Sequence, residues 1–523
     1  MEPRRLGATG LTLSAASLAL TATVALLGPS LMEPVLPGKA GQPPWSLAAH
    51  PSPYLVIALS GAAIVAAVAG TALILSANKH GWLLPAVPLL LAGIAVALLL
   101  AFLPPIGSSD HLSYAAYGRM AITGHNPYTT TPAMLARLGD PVARAVQDWR
   151  GSPSVYGPLA VGVQALAATI GGTSVRLIVF VLSLVNVLAF ACTGLILHWL
   201  GRGDENRQFR SAVLWTANPL LLLVLVAGAH VDSQAIVFGV AAVAVAVSGL
   251  RLTRDRLGWQ VLIAVAAGML TGLGFAVKVT TALIGAGIAL GIVFWAGRGK
   301  NKKEVIVVLG GLAAGFLAVA GAALVPWGTS MFTPAAHGGS YTSIGSPWRA
   351  VRSGLRLIIG ESAAEDAVKA GALLLAALLL VLLVRYLAQT CGDDLITAMA
   401  FAFVFAWLLA WPYVLPWYDG LGWALLAVLP AGQAAVRFCW LMLARTAALA
   451  IGYLPARGIP LPAGLGWLET VVRTVVTPLA LLTIVILTIV WLWRPNDITR
   501  TALRLSGAAR HVLRASGHRL ASG

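Results

Sequence analysis

The chain has 523 residues, of which 59% are hydrophobic and only 10% are charged. Soluble globular domains carry roughly a quarter charged residues, so this composition excludes a soluble fold. The net charge of +17 is dispersed between apolar segments, which argues against nucleic-acid binding, since that requires a concentrated basic surface. The three cysteines lie far apart and predict neither a disulfide framework nor a metal cluster.

Apolar segments recur along the whole chain. A membrane-spanning helix needs about 20 apolar residues, and the pattern predicts an all-α, polytopic transmembrane helical bundle of about fourteen spans. The predicted spans are 11–28, 54–76, 83–103, 175–199, 211–229, 234–250, 259–277, 279–297, 305–325, 368–388, 395–415, 420–438, 439–454 and 471–493. The first lacks a small-residue cleavage site, so we expect an uncleaved helix. The apolar segment from Pro158 to Ile170 is too short to span, and we expect it to be re-entrant or interfacial.

Basic residues predict the orientation of the bundle. Arginines and lysines concentrate in short loops and in the tail 494–523, which the positive-inside rule places in the cytoplasm with both termini. Two long polar loops, 104–157 and 326–367, then face outward. Long connections in a compact domain are usually functional, so we expect a site on the outer face of the transmembrane domain 1–493.

The first outer loop begins with SSDHLSYAAYGRM. Asp110, Tyr114 and Tyr117 have helical spacing and would share one face, with Arg119 close by. A carboxylate beside aromatic rings suits a sugar site. The alternative is an aromatic belt at the membrane interface, with Asp110 as a helix N-cap.

Two turn motifs follow in this loop. Asn126-Pro127 leads into Tyr128, and Tyr156-Gly157-Pro158 closes the loop. Asn126, Tyr128 and Tyr156 are candidate substrate contacts, although both turns can be purely structural.

Three ionisable residues interrupt later apolar segments. Ionisable groups at membrane depth are expensive and generally face a polar cavity or a partner. His230 and Asp232 would lie at the outer boundary, where they contact substrate or cap the next helix. No HExxH-like spacing supports His230 as a metal ligand. Lys278 would bind a lipid-linked phosphate, pair with Asp232, or snorkel to the interface.

The second outer region supplies further candidates. The sequence SPWRAVRSGLR contains Arg349, and WPYVLPWYDGLGW contains Trp417 and Tyr418. Interfacial aromatic residues often act only as anchors. Together, however, a carboxylate, aromatic faces and cations are the groups that glycosyl transfer from a lipid-linked donor requires.

The order of these motifs resembles the actinobacterial polyprenol-phosphate-mannose-dependent α-(1→6)-mannopyranosyltransferases, within the C-type glycosyltransferase superfamily. The resemblance runs from about residue 85 to residue 425. It rests on Asp110 to Tyr128, Tyr156-Gly157-Pro158, Asn218-Pro219 with His230, Ala276-Val277-Lys278, and Leu415-Pro416-Trp417-Tyr418. Some relatives have Asn-Glu where this chain has Val231-Asp232.

The resemblance implies a multi-span enzyme that transfers mannose from polyprenyl phosphate mannose on the outer face of the plasma membrane. The acceptor would be a mannan or a glycolipid, and no nucleotide sugar is expected. Because Lys278 or Arg119 would stabilise the growing charge of the phosphate, the sequence also predicts that no divalent metal is required. The resemblance marks Asp110 as the catalytic base. The expected substrate contacts are Tyr117, Arg119, Asn126, Tyr128, Tyr156, His230, Asp232, Lys278, Arg349, Trp417 and Tyr418.

Two other classes of protein remain open. In a transporter or flippase, Asp110, Asp232 and Lys278 would form a proton or substrate relay, but that class does not explain the long outer loops. The absence of a visible internal repeat also weakens it. A non-catalytic assembly protein would use the same loops to hold a partner.

Overall fold

The computed structural model describes residues 2–253, 256–296, 301–392, 394–430, 432–455 and 457–493. The predicted basic tail, 494–523, lies outside these residues. Regular structure within the described ranges is helical throughout, with no strand, which confirms the all-α class.

The α-helices are numbered here in chain order. They are α1 Pro3–Leu27, α2 Pro53–Lys79, α3 Ala86–Ala101, α4 Asp110–Ile122, α5 Pro132–Arg137, α6 Pro141–Arg144, α7 Pro158–Gly171, α8 Val175–Leu200, α9 Glu205–Ser211, α10 Pro219–Leu221, α11 Asp232–Leu252, α12 Leu257–Val277, α13 Ala282–Ala296, α14 Lys302–Leu324, α15 Phe332–Gly339, α16 Pro347–Ile359, α17 Glu361–Thr390, α18 Leu395–Ala410, α19 Asp419–Val428, α20 Gln433–Gly452 and α21 Thr477–Trp493. Short π-helical segments are Ala212–Thr216, Leu222–Val226 and Leu468–Val476. Single 3-10 turns are Val279–Thr281, Gly328–Met331, Pro416–Tyr418 and Ala463–Leu465.

Ten helical segments in the described ranges are long and apolar enough to cross a membrane. They are Pro3–Leu27, Pro53–Lys79, Val175–Leu200, Glu205–Val226, Asp232–Leu252, Leu257–Val277, Lys302–Leu324, Glu361–Thr390, Ala434–Gly452 and Ala463–Trp493. Four apolar helices are shorter: Ala86–Ala101, Pro158–Gly171, Val279–Trp295 and Leu395–Ala410. The protein is therefore a multi-pass membrane protein, but the predicted count of about fourteen spans is not confirmed.

Two of the predicted spans, 420–438 and 439–454, have the wrong boundaries. Helix α19 ends at Val428, and α20 runs from Gln433 to Gly452. Leu429 is extended because it precedes Pro430, and this ends α19 after only ten residues. All ten residues of α19 are buried, so its apolar sequence reflects enclosure by other helices rather than a membrane crossing.

Small residues allow the long helices to approach each other closely. A Cβ atom at Gly268 of α12 would lie 2.1 Å from the carbonyl oxygen of Leu312 in α14. In return, a Cβ atom at Gly315 of α14 would lie 2.1 Å from the carbonyl oxygen of Val265 in α12. Such close packing is typical of helices in membranes. Lipid provides no hydrophobic driving force between helices, so their association depends on van der Waals contact, which small residues allow.

The first polar loop is anchored to the bundle by two glycines. Gly118 packs α4 onto α7, since a Cβ atom there would lie 2.1 Å from the carbonyl oxygen of Gln164. Gly157, at the start of α7, donates its amide hydrogen to the carbonyl oxygen of Val277 at 2.9 Å. The turn Tyr156-Gly157-Pro158 therefore joins the first polar loop to the end of α12, immediately before Lys278.

The two predicted outer loops meet at one end of the bundle. Asn126 Nδ2 donates to Ser330 Oγ at 3.4 Å, and the rings of Trp149 and Tyr341 are in contact. The 326–367 region is itself mostly helical, since it contains α15, α16 and the start of α17. Both regions therefore contribute to one surface.

Candidate active site

Asp110 is the first residue of α4, and its carboxylate accepts one hydrogen bond from a side chain and lies near a second polar side chain. Trp149 Nε1 donates a hydrogen bond to Asp110 Oδ1 at 3.2 Å, and His230 Nδ1 lies 3.7 Å from Oδ2. The helix-capping alternative for Asp110 is wrong, because Ser109 occupies the N-cap position and the carboxylate bonds Trp149 instead. The side chain retains 15% exposure, so the carboxylate is mostly buried.

The environment of Asp110 raises its pKa to about 7. Burial is the largest cause, and the nearby carboxylate of Asp148 acts in the same direction. The ammonium of Lys278 and the hydrogen bond from Trp149 partly oppose this rise. A carboxylate with a pKa near neutrality suits a general base.

His230 forms one wall of the site. Its ring stacks on Trp417, with the ring centroids 3.6 Å apart and the planes 14° from parallel. Burial, followed by the charge of Lys278, lowers the pKa of His230 well below its usual range. The imidazole is therefore neutral at physiological pH.

A buried amide network fixes the turn that carries His230. Gln234 Nε2 donates to Asn186 Oδ1 at 2.7 Å, and Asn186 Nδ2 donates to the carbonyl oxygen of Ala229 at 2.9 Å. Ala229 has a φ of 52°, a left-handed conformation that an alanine adopts only when its surroundings impose it. Sequence analysis did not identify this network.

Lys278 directly follows Val277, the last residue of α12. Its Nζ atom is 2.6 Å from Asp232 Oδ1 and 3.8 Å from the ring centroid of Tyr418. The predicted alternative of an ion pair with Asp232 is confirmed. The Lys278 side chain is only 11% exposed, so its ammonium is held inside the protein instead of snorkelling to the interface.

A chain of aromatic rings connects Asp110 with Lys278. It runs through Trp149, Tyr341, Tyr413 and Tyr418, with successive ring centroids 5.8, 5.9 and 6.1 Å apart. The first ring in the chain bonds the carboxylate, and the last lies against the ammonium. Asp110 and Lys278 are thus two charged groups on the border of one polar, aromatic-lined region.

The rings predicted to stack on sugar are enclosed. Tyr117 is 3% exposed and donates from its hydroxyl to the carbonyl oxygen of Ser152 at 3.0 Å. Trp417 is 5% exposed, and His230 covers one of its faces. Neither ring offers an open face for stacking.

Tyr156 joins the buried face of α4. Its hydroxyl oxygen lies 3.2 Å from that of Tyr114, and the two rings meet edge to face. Burial raises the pKa of each hydroxyl well above its usual range, so both remain protonated donors.

Arg119, Asn126 and Tyr128 have structural partners. Two nitrogens of the Arg119 guanidinium contact Asp140 Oδ2, Nε at 2.9 Å and Nη2 at 2.8 Å. Asn126 Oδ1 accepts from the amide of Tyr128 at 2.9 Å and stabilises the turn. These contacts fix the first loop, and none of them joins Asp110 or Lys278.

Tyr128 and Arg349 have opposite environments. Tyr128 is 2% exposed and packs edge to face on Trp327, with the centroids 6.3 Å apart. Arg349 is exposed in the first turn of α16. No contact in the described part of the chain joins Arg349 to the Asp110 region.

In the described ranges, no group of three or more His, Cys, Asp or Glu side chains could hold a metal ion. The expectation that the reaction needs no divalent metal stays a prediction.

Comparison with known proteins decides the family. The model described as the N-terminal domain of alpha-(1→6)-mannopyranosyltransferase matches residues 9–296, more than half of the chain. This chain belongs to the alpha-(1→6)-mannopyranosyltransferase family. The resemblance predicted from the sequence motifs is confirmed.

Individual relatives match over part of their length. Alpha-(1→6)-mannopyranosyltransferase B from Corynebacterium glutamicum is 28% identical over 387 residues, which cover 69% of this chain and 61% of that protein. Alpha-(1→6)-mannopyranosyltransferase A from the same organism is 27% identical over 169 residues, covering 29% of this chain and 34% of that protein. The chain thus spans less than two thirds of either relative.

An archaeal oligosaccharyltransferase from Archaeoglobus fulgidus, in complex with an inhibitory peptide and a dolichol-phosphate, aligns with a TM-score of 0.38 and 14% identity. The alignment covers 78% of this chain and 56% of that chain. This similarity is too low to identify a common fold.

The family match and the site overlap only in part. Asp110, His230 and Lys278 lie within residues 9–296. Tyr341 and Tyr418, which belong to the chain of aromatic rings, lie beyond them. The C-terminal half of this chain therefore supplies side chains to the site that the N-terminal half begins.

Sequence analysis did not identify the hydrogen bonds that hold the segment around Trp149 in place. Asp148 Oδ1 accepts from the amide of Gly458 at 3.1 Å, and its Oδ2 accepts from Ser109 Oγ. Arg457 binds Gln147 Oε1 and donates to the carbonyl oxygen of Ser30 at 2.5 Å. In the sequence, the only signal for this site is that an acid and a tryptophan, Asp148 and Trp149, stand next to each other in the segment QDWRG. No spacing rule links them to Asp110.

Proposed function

We propose that this protein transfers mannose from polyprenyl phosphate mannose to a mannan or glycolipid acceptor, forming an α-(1→6) linkage. Family membership supports mannosyl transfer. One observation carries the proposal: Asp110, a carboxylate with a pKa of about 7, and the cation Lys278 both adjoin the same chain of aromatic rings. Such a site offers a base to the acceptor and a cation to an anionic leaving group.

Asp110 acts first on the acceptor. Its carboxylate removes the proton of the acceptor hydroxyl while the hydroxyl oxygen attacks the anomeric carbon of mannose. The bond between that carbon and the phosphate oxygen breaks as the new bond forms, and the electron pair leaves with polyprenyl phosphate. Attack opposite to the leaving group inverts the anomeric configuration. A positioned base contributes roughly 10²–10⁴-fold to such a step.

Lys278 acts on the leaving group. Negative charge on the phosphate grows as the glycosidic bond breaks, so the ammonium stabilises the transition state more than the ground state. Asp232 holds this ammonium in place at 2.6 Å and opposes the lowering of its pKa by burial. Lys278 lies close enough to act on the charge of Asp110, whereas Arg119 binds Asp140 in the first loop, so we assign the leaving-group role to Lys278 alone.

The active site faces outward in this proposal, with both termini in the cytoplasm of a plasma-membrane protein. The charge bias of the short loops and the length of the two polar loops support this orientation. The polyprenyl chain of the donor would remain in the lipid bilayer. A lysine balances the charge of the phosphate, so we expect activity without a divalent metal, and full activity in excess chelator would agree.

The deciding experiment uses purified protein in detergent. Labelled polyprenyl phosphate mannose and a short α-mannoside are added, and the product is analysed for its linkage. We expect a new α-(1→6)-linked mannose and release of polyprenyl phosphate. Transfer without sealed vesicles also excludes an obligate transporter or flippase. No transfer to any mannoside by a folded, donor-binding protein would overturn the proposal.

A further inference from the structure

Only some aromatic side chains beside Asp110 are open to solvent. Trp149 and Tyr341 are each 41% exposed, whereas Tyr117 and Trp417 are enclosed. We propose that Trp149 and Tyr341 form the acceptor subsite, in which a pyranose ring of the acceptor stacks against their exposed faces. The inference rests on the proposed function and assigns its acceptor side to these two residues.

The two rings form an open pair. Their centroids lie 5.8 Å apart and their planes are tilted by 43°. The two rings are therefore neighbours that do not stack in parallel. A pyranose ring has an apolar C–H face and a polar rim, which matches an aromatic surface next to hydrogen-bonding groups. Trp149 supplies both features, because its side chain is part-exposed and aromatic and its Nε1 is bonded to Asp110. A sugar on that face lies beside the carboxylate that must take its proton.

The backbone of Trp149 is unusual in a way that supports this role. Its φ is 62°, a left-handed conformation that bulky side chains rarely adopt. Such conformations persist only where neighbouring contacts impose them, and they concentrate at functional sites. Here the preceding residue, Asp148, is bonded to Ser109 and Gly458, and the amide of Ser152 donates to the carbonyl oxygen of Trp149 at 3.0 Å. These contacts hold the indole over Asp110.

The two partners also explain why two separate polar regions meet. Trp149 comes from the 104–157 loop and Tyr341 from the 326–367 region. Their neutral rings suit an uncharged sugar, while the ammonium of Lys278 marks the opposite end of the ring chain for the donor phosphate. In this proposal the acceptor sugar binds at the Trp149 end of the chain of aromatic rings, and the donor phosphate binds at the Tyr418 end.

The test compares acceptor binding with donor binding in four variants. Trp149→Ala and Tyr341→Ala each remove one face, and we expect about a tenfold rise in the acceptor KM with an unchanged donor KM. Trp259→Ala is the control, since Trp259 is 55% exposed but lies in the first turn of α12, about 28 Å along that helix from Lys278. This control should keep both KM values.

Trp149→Phe separates stacking from hydrogen bonding. It keeps an aromatic face, so the acceptor KM should rise by less than in Trp149→Ala. It removes the indole donor that lowers the pKa of Asp110, so the acid limb of kcat/KM should move to higher pH. The groups that face Asp110 are Asp148, Lys278, Asp232, His230 and Trp149. The other four are unchanged in this variant.

Calorimetric titration of a short α-mannoside into each purified variant provides a readout that is independent of turnover. Weaker mannoside binding in Trp149→Ala and Tyr341→Ala supports the subsite. Wild-type acceptor KM and mannoside affinity in both variants overturn it. If the wild-type protein binds the mannoside through these rings but transfers no mannose, the proposed function fails and the subsite stands. If Asp110→Asn abolishes transfer but both alanine variants match wild type, only the subsite fails.

Discussion

The ammonium of Lys278 lies 2.6 Å from the carboxylate of Asp232 and 3.8 Å from the ring centroid of Tyr418. Burial lowers the pKa of Lys278, and the adjacent carboxylate of Asp232 opposes that fall, so the ion pair favours the ammonium in a place where a lone charge is expensive. An ammonium group has three hydrogen-bond donors, so it can bind Asp232 and a donor phosphate at the same time. Its two roles, structural ion pair and donor contact, predict different behaviour in variants.

Replacing Lys278 with Met should weaken donor use while the protein remains inserted. Loss of one charge-assisted contact corresponds to a fall in donor kcat/KM of roughly 10- to 100-fold. Donor kinetics on purified protein measure it, with Lys79→Met, at the exposed end of α2, as the control. The double variant Lys278→Met with Asp232→Asn removes the whole ion pair. Recovery of wild-type activity in the double variant would mean that Lys278 is only structural.

Asp110→Asn should abolish most turnover. Asparagine keeps the size of the side chain but cannot take the acceptor proton, so kcat should fall by roughly 10²–10⁴-fold while donor binding changes little. Single-turnover transfer and donor titration measure the two effects separately. Asp366→Asn is a matched control, since the Asp366 side chain is 76% exposed in α17. Retention of a tenth or more of the turnover would contradict the assignment and make Asp232 the next candidate.

The pH dependence of the reaction should follow Asp110. Its pKa is raised from 3.8 to about 7, so the carboxylate becomes protonated and inactive as the pH falls below neutrality. We expect kcat/KM to fall about tenfold per pH unit below the pKa and to level off above it. Asp148→Asn removes a negative charge that raises this pKa, so its acid limb should move to lower pH. An acid limb near pH 4 in the wild-type enzyme would not agree.

Gly157→Ala should destabilise the junction between the first polar loop and α12. A Cβ atom there would lie 2.2 Å from the carbonyl oxygen of Ala276, so the backbone must shift, at a cost of about 1–3 kcal/mol. Because Ala276 precedes Lys278 by two positions, donor use should fall as well. Thermal unfolding in detergent and the donor KM measure the two effects. Gly151→Ala is the control, since a Cβ atom there meets nothing within 4 Å, and equal stability of the two variants would refute the prediction.

Cysteine labelling tests the orientation. In a background without the three native cysteines, a cysteine at Gly139 should react with an impermeant reagent on intact cells. A cysteine at Gly203, in the exposed turn after α8, should react only after the membrane is broken. The reverse pattern would place the active site in the cytoplasm.

Much of this protein follows from its sequence alone. Apolar segments of membrane-spanning length determine the all-α, multi-pass fold, because a bilayer leaves helices as the simplest way to satisfy backbone hydrogen bonds. The expense of charge in such segments singles out His230, Asp232 and Lys278, and the structure brings all three to the Asp110 region. The pair between Lys278 and Asp232 was one of the alternatives that their positions in the sequence predicted.

Other features required the tertiary structure. The contact between Trp149 and Asp110 spans 39 positions, and Tyr341 comes from a separate polar region almost 200 positions beyond Trp149. Arg119 is a phosphate ligand candidate in sequence, but in the fold it binds Asp140, away from the carboxylate of Asp110. Local periodicity fixes which residues share a helix face and says nothing about which loop covers that face. Partners and solvent exposure arise from packing between distant segments, and they decide which aromatic rings remain open to a sugar.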